Sequence, residues 1–194
     1  MKEEILEIRW HGRGGQGAKT AALLFADAAL SLGMYIQAFP EYGPERMGAP
    51  VQSFNRLSKK PITIHCGITS PKIVAVLDPT LMASVDVTGG LLESGSIIVN
   101  TSKSPAEIRA ELGLKTGKVY TVDASKIATE KIGRNIPNTP MLGALAKVSA
   151  ALDFTAMLKD TEEKLKKKFA HKPEIIKGNI EAIKTAYETV KGEG

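Results

Sequence analysis

The chain has 194 residues, a single cysteine (Cys66) and a net charge of +5 with a pI of 9.2. One thiol rules out an intrachain disulfide, a Cys-rich zinc site and an iron–sulfur cluster, which normally takes four thiolates. The mild basicity suits anionic ligands, but no basic run is interleaved with stacking aromatics, so no nucleic-acid partner is expected.

Ile5 to His11 reads as a first strand, followed by a glycine loop, Gly12 to Gly17. Ala18 to Leu32 is rich in Ala and Leu and ends at Gly33, a good helix terminator. Met34 to Phe39 is a short second strand, completing a β-loop-α-β unit. A proline-bounded loop, Pro40 to Pro50, comes next, with Val51 to Leu57 as a strand. Ile62 to His65 offers a further strand, with a hairpin turn at Ser58-Lys59-Lys60-Pro61. Lys72 to Asp78 and Ile97 to Asn100 are continuous apolar runs, the pattern of buried parallel strands. Between them, Leu81 to Val87 looks helical. Ser104 to Leu112 is predicted as a short helix with Pro105 at its first position. Val119 to Val122 is a strand, Ala124 to Ile132 a helix, and Thr139-Pro140 opens another helix with Thr139 as its cap.

The C-terminal stretch changes character. Phe154, Met157, Leu158, Leu165 and Phe169 share one helical stripe, and Ile176, Ile180, Ile183, Tyr187 and Val190 recur at helical spacings. The expected architecture is α/β: a Rossmann-like, mostly parallel sheet flanked by helices over residues 1–151, and a C-terminal amphipathic helical extension over 152–194. That extension packs on the domain or on a partner subunit. Lys166 to Lys168, the one cationic run, reads as a solvated helix face. No apolar stretch approaches the ~20 residues that span a bilayer. The acidic N-terminus carries no signal-type core, so no membrane contact and a cytoplasmic location are expected. The histidines His11, His65 and His171 are scattered and form no metal-spaced cluster. His11, at a strand end, and Cys66, with no base pattern beside it, read as structural residues.

Gly12-Arg13-Gly14-Gly15-Gln16-Gly17 satisfies G-x-G-x-x-G between a strand and a helix. A dinucleotide site would add an acid at the end of the second strand, and Met34 to Phe39 contains none; Glu41 follows only beyond Pro40. An NTPase-type phosphate loop would place a lysine directly after Gly17. Ala18 intervenes and rotates Lys19 by about 100° on the helix. A structural reading, with glycines permitting tight packing and a close subunit contact, stays open beside these.

Two longer motifs go further. HGRGGQGAKT (His11 to Thr20) and QAFPEYGPERMGAPV (Gln37 to Val51) closely resemble the gamma subunits of pyruvate:ferredoxin oxidoreductase, or pyruvate synthase, and of related 2-oxoacid:acceptor oxidoreductases. Asp78-Pro79, Ile97 to Asn100 and Asn138 to Ala144 (NTPMLGA) are similar in order and spacing, so the resemblance covers roughly residues 5–190. It implies a subunit, non-catalytic alone, of a heterotetramer with alpha, beta and delta chains. That enzyme converts pyruvate and coenzyme A to acetyl-CoA and CO2 and passes electrons to ferredoxin. Thiamine diphosphate, magnesium and iron–sulfur clusters are expected in partner subunits, none bound by this chain alone. Coenzyme A is the expected shared ligand, held by Gly12, Arg13, Gly14, Gly15, Gln16 and Gly17 with Tyr42 and Arg46. Two readings of these loops stand together, coenzyme A contact and subunit interface. The different-class alternative is a free-standing NAD(P)-binding oxidoreductase.

Overall fold

The structure is a computed structural model that describes residues 5–41 and 48–193. A seven-stranded sheet forms its centre, in the order β2-β3-β1-β4-β5-β6-β7. The strands are β1 (Leu6–Arg13), β2 (Tyr35–Glu41), β3 (Pro50–Ser58), β4 (Ile73–Val76), β5 (Ser96–Asn100), β6 (Lys118–Val122) and β7 (Lys191–Gly192). β1, β4, β5 and β6 pair in parallel, and β3 and β7 run against them. β2 pairs antiparallel to β3, so five of the seven strands share one direction. The expected Rossmann-like, mostly parallel sheet is present, with one change of neighbours. β2 is not adjacent to β1, because β3 lies between them.

Six α-helices lie among the described residues: α1 (Ala18–Ser31), α2 (Pro105–Leu112), α3 (Ala124–Ile132), α4 (Asn138–Ser149), α5 (Phe154–Lys168) and α6 (Pro173–Thr189). Strand side chains alternate between faces, so β4 and the residue after it send Ile73, Ala75 and Leu77 one way and Val74 and Val76 the other. The first face joins Ile8, Trp10 and Ile98 to α1, α3, α4 and α6. The second joins Ile97, Val99 and Val119 to Ile108 of α2 and to Leu81 and Val87. Coverage on both faces explains why β4 and β5 read as unbroken apolar runs.

Local chemistry sets the helix ends. The Ser104 hydroxyl accepts from the Glu107 N–H, and the Glu107 carboxylate accepts from the Ser104 N–H, which closes a capping box ahead of Pro105. Asp123 caps α3 and Asp153 caps α5 in the same manner, through the N–H groups of Lys126 and Ala156.

Several sequence expectations need correction. Leu81 to Val87 is not a helix; a 3-10 turn spans Pro79–Ala83 instead, capped by Asp78. Ile62 to His65 forms no strand, since Pro61 removes a donor and residues 63–65 are exposed, with no face to bury. β3 makes its hairpin with β2 rather than with that segment. Thr139 lies inside α4 rather than at its cap; the Asn138 side chain accepts from the Thr139 N–H, and the helix starts at Asn138, two residues earlier than expected.

α5 and α6 lie on the domain. Ala182, Ile183 and Ala186 of α6 are fully buried in the same cluster as Ile8 and Trp10. Two glycines allow the approach. A Cβ on Gly143 would sit 2.2 Å from the Ile183 carbonyl oxygen, and one on Gly178 would sit 2.2 Å from that of Lys131.

Candidate functional site

The glycine motif lies at the carboxyl end of β1, where the chain order of the sheet changes direction. β1 leads through α1 to β2 on one side, and β4 is its neighbour on the other. In open α/β sheets ligands bind at this position. Gly12 and Arg13 are the last residues of β1 rather than the first of the loop. A Cβ on Gly12 would approach that of Ala18 to 3.2 Å, so glycine lets α1 start close to the strand. The Gly14 N–H donates to the Ala49 carbonyl at 3.0 Å, tying the loop to the residues ahead of β3. Gly15 is the exposed tip. Gly17 is the N-terminal boundary of α1 with a φ of 84°; a side chain there would strike Asn138, whose Nδ2 lies 2.7 Å from the Cβ position. Among the described residues no side-chain hydrogen bond caps α1 at Gly17, and the positive end of its dipole lies at the loop.

Arg13 and Gln16 converge on Asp78, which follows β4. Arg13 Nε donates to Asp78 Oδ2 at 3.1 Å, and Gln16 Nε2 donates to the same oxygen at 2.8 Å. The other carboxylate oxygen, Oδ1, accepts from the Thr80 N–H at 2.9 Å and from its hydroxyl at 2.6 Å. Burial alone would raise the Asp78 carboxyl, but the Thr80 and Gln16 hydrogen bonds and the Arg13 charge hold it below its ordinary value. Asp78 is thus an ionised anchor with every bonding direction in use, and has no proton to lend. Arg13 also donates through Nη1 to the Gly48 carbonyl at 3.1 Å and through Nη2 to Thr80 Oγ1 at 3.0 Å. Gln16 closes the turn, its Oε1 accepting from the Arg13 N–H at 2.8 Å. Asn100, at the end of β5, donates to the Leu77 carbonyl at 2.7 Å and accepts from the Ser125 N–H at 3.0 Å, bracing β4 and β5 to α3.

The structure therefore brings Gly12, Arg13, Gly14, Gly15, Gln16 and Gly17 together with Asp78 and Thr80. Tyr42 and Arg46 lie outside the described residues. Asp78 caps the 3-10 turn, and sequence reasoning missed it as the partner of Arg13. An acid at the end of a buried strand beside a glycine loop was the available signal.

Behind the loop sits a buried polar group. Arg9 Nε donates to His11 Nε2 at 3.0 Å, and Arg9 Nη2 donates to the carbonyls of Val87 and Gly89 at 3.1 and 2.7 Å. Burial, with the Arg9 charge beside it, pushes His11 down to about 4. His11 is a neutral acceptor locked into the fold. Cys66 is exposed. Among the described residues no three His, Cys, Asp or Glu side chains gather as a metal site.

The dinucleotide reading changes in one detail. β2 continues through Pro40 to Glu41, so an acid does end the second strand. It stands two strand spacings from β1, roughly 10 Å, with β3 between. A ribose grip beside the glycine loop is not formed.

Residues 7–189 match the family described as pyruvate ferredoxin/flavodoxin oxidoreductase. The chain belongs to this family. Within the pyruvate ferredoxin/flavodoxin oxidoreductases it is a gamma-type chain, and the free-standing NAD(P) alternative is not favoured. It is 45% identical over 191 residues to pyruvate synthase subunit PorC of Thermotoga maritima, covering 98% of this chain and 97% of that one. It is 46% identical over 184 residues to the Pyrococcus furiosus pyruvate/ketoisovalerate oxidoreductases common subunit gamma, covering 95% and 96%. The crystal structure of the T. maritima PorC subunit superposes with a TM-score of 0.86 at 43% identity over the whole of both chains. A 2-oxoglutarate:ferredoxin oxidoreductase chain from Magnetococcus marinus shares the fold at a TM-score of 0.76 and 20% identity, with 97% of this chain matching 31% of that one.

Proposed function

We propose that the chain is the gamma subunit of a four-subunit pyruvate:ferredoxin oxidoreductase and that its glycine loop helps hold coenzyme A. The partners in this reading are alpha, beta and delta chains, with ferredoxin reached through the complex. Thiamine diphosphate, magnesium and iron–sulfur clusters reside on those partners in the cytoplasm. Gly12, Arg13, Gly14, Gly15, Gln16 and Gly17, with Tyr42 and Arg46, face the phosphates of coenzyme A.

One observation carries the coenzyme A reading. Arg13 is held at the sheet's ligand edge by three hydrogen bonds, so two of its five N–H donors are unspent among the described residues. A guanidinium already oriented, beside the N-terminus of α1, receives a phosphate at low ordering cost. Asp78 offsets the Arg13 charge, which leaves Arg46 a larger share of the electrostatic attraction. The Ala49-Pro50 step ahead of β3, tied to the glycine loop by the Gly14 N–H, favours a subunit interface as well, and the two roles are compatible. The P. furiosus relative is described as common to two oxidoreductases, which supports selection of the 2-oxoacid outside this chain.

The test is titration of coenzyme A into the assembled enzyme carrying Arg13→Ala or Arg46→Ala. We expect KM for coenzyme A to rise about tenfold (~1.4 kcal/mol) in at least one variant. Pyruvate decarboxylation without coenzyme A should be unaltered. Unchanged affinity in both variants overturns the coenzyme A role and leaves the interface role.

A further inference from the structure

A half-open cavity of about 690 Å3 lies away from Asp78, between α1, the segment leading into α4, the end of α5 and the start of α6. Its floor is apolar: Leu24, Ile132, Ile136, Leu165, Phe169 and Ile175. Its charged lining is mostly cationic, with Arg134, Lys164 and Lys168 against one carboxylate, Asp27. Lys164 is paired with Asp160 at 2.6 Å. Arg134 and Lys168 are exposed, and no carboxylate among the described residues pairs with either.

An apolar row continues past the cavity. Six large apolar side chains are exposed among the described residues, and four of them, Leu23, Leu30, Leu32 and Tyr35, lie on α1 or just beyond it. Leu23 and Leu30 are 41% and 58% exposed. They stand seven residues apart on one helix face, roughly 10 Å along the axis.

Two features disfavour a small ligand. Two of the uncharged polar side chains in the lining are spent on the fold: Thr139 Oγ1 donates to Asn179 Oδ1 at 2.9 Å, and Asn179 Nδ2 donates to the Ile175 carbonyl at 2.7 Å. Small-molecule pockets keep a few such groups free to orient their guest. A small molecule in the cavity would also leave Leu30 uncovered, whereas an amphipathic helix laid along α1 covers both Leu23 of the cavity lining and Leu30 beyond it.

We propose that this groove docks an acidic, amphipathic segment of a companion subunit, its apolar face against the cavity floor and the α1 leucines, its carboxylates against Arg134 and Lys168. The proposal rests on the chain working inside a multi-subunit enzyme. It adds which face is covered and by what chemistry.

The experiment compares pulse acetylation of Lys168, read by mass spectrometry, in the assembled enzyme and in the isolated full chain. In parallel, assembly affinity is measured for wild type and for R134E/K168E, both exposed positions, with folding checked by circular dichroism. We expect Lys168 to react at least tenfold more slowly in the assembly. The charge reversal should weaken assembly at least tenfold at unchanged thermal stability. Equal reactivity of Lys168 in both states overturns the proposal, as does undiminished assembly of a folded R134E/K168E. Should that variant not fold, acetylation of the wild-type protein decides alone. Binding of decanoate by the free chain, lost in R134E/K168E, with Lys168 still reactive in the assembly, would reassign the groove to a small anionic amphiphile. Failure of wild type itself to assemble would overturn the subunit reading and the docking with it.

Discussion

His11 shows how a residue inside a binding-type motif serves the fold. Its Nε2 accepts from Arg9, so the ring must be neutral, and burial beside the Arg9 charge depresses it from 6.5 to about 4. In the unfolded chain the same ring takes its proton near pH 6.5. Between those values the unfolded state binds more protons, so stability falls as pH drops from about 6.5 to about 4 and flattens below. The loss is on the order of 3 kcal/mol for a shift of this size. Unfolding midpoints of the full chain from pH 8 to pH 4 should show it, and His11→Gln should remove most of the slope. An equal slope in that variant would place the titration elsewhere. Asp78 acts in a lower window. Its carboxyl is held below the ordinary value of 3.8, so its contribution is present above that value and is lost as pH falls through its folded one.

At the scale of elements, the contact of α6 with α3 and α4 is set by backbone rather than side chains. Gly143→Ala would drive a methyl into the Ile183 carbonyl, and Gly178→Ala into that of Lys131. Either substitution should cost about 3 kcal/mol through overpacking, although alanine is the better helix former. A lowered denaturant midpoint at constant m-value checks this, and a stabilised variant would contradict the close approach. Much of this architecture was legible locally. Continuous apolar runs gave β4 and β5, and Pro105 at a first helical position gave α2, because burial on both faces and proline's fixed φ act within a few residues. The neighbours of β1 were not legible. Alternation marks β3 as a strand but says nothing of its insertion between β1 and β2, which is settled by distant packing such as Trp10 Nε1 on Asn55 Oδ1 and Asn55 Nδ2 on the Ala22 carbonyl. The candidate site divides in the same way. The glycine loop is a contiguous motif and was visible; its partnership with Asp78 spans 65 residues and depends on β4 pairing with β1.

For the whole molecule, the question is whether the C-terminal helices decorate a finished domain or complete it. α4 meets α6 where Gly143 abuts the Ile183 carbonyl, and Ile180, Ala182 and Ala186 join the cluster that holds Trp10 and Ile98. Beyond α6 the chain returns to the sheet edge. β7 pairs with β6, and the Glu193 carboxylate accepts from Arg109 of α2 and from the Val119 N–H at 3.2 Å. One segment thus touches both layers, and its removal would bare the inner surface of α4 and an edge of the sheet at once. A chain ending at Ala151 should therefore lose cooperative unfolding and bind a hydrophobic dye, the behaviour of a collapsed state without fixed packing. Removal of residues 191–194 alone should only lower the midpoint, since it takes away one ion pair and a two-residue strand. A sharp two-state transition in the chain ending at Ala151 would show instead that residues 1–151 close their own core and that α5 and α6 are an appendage.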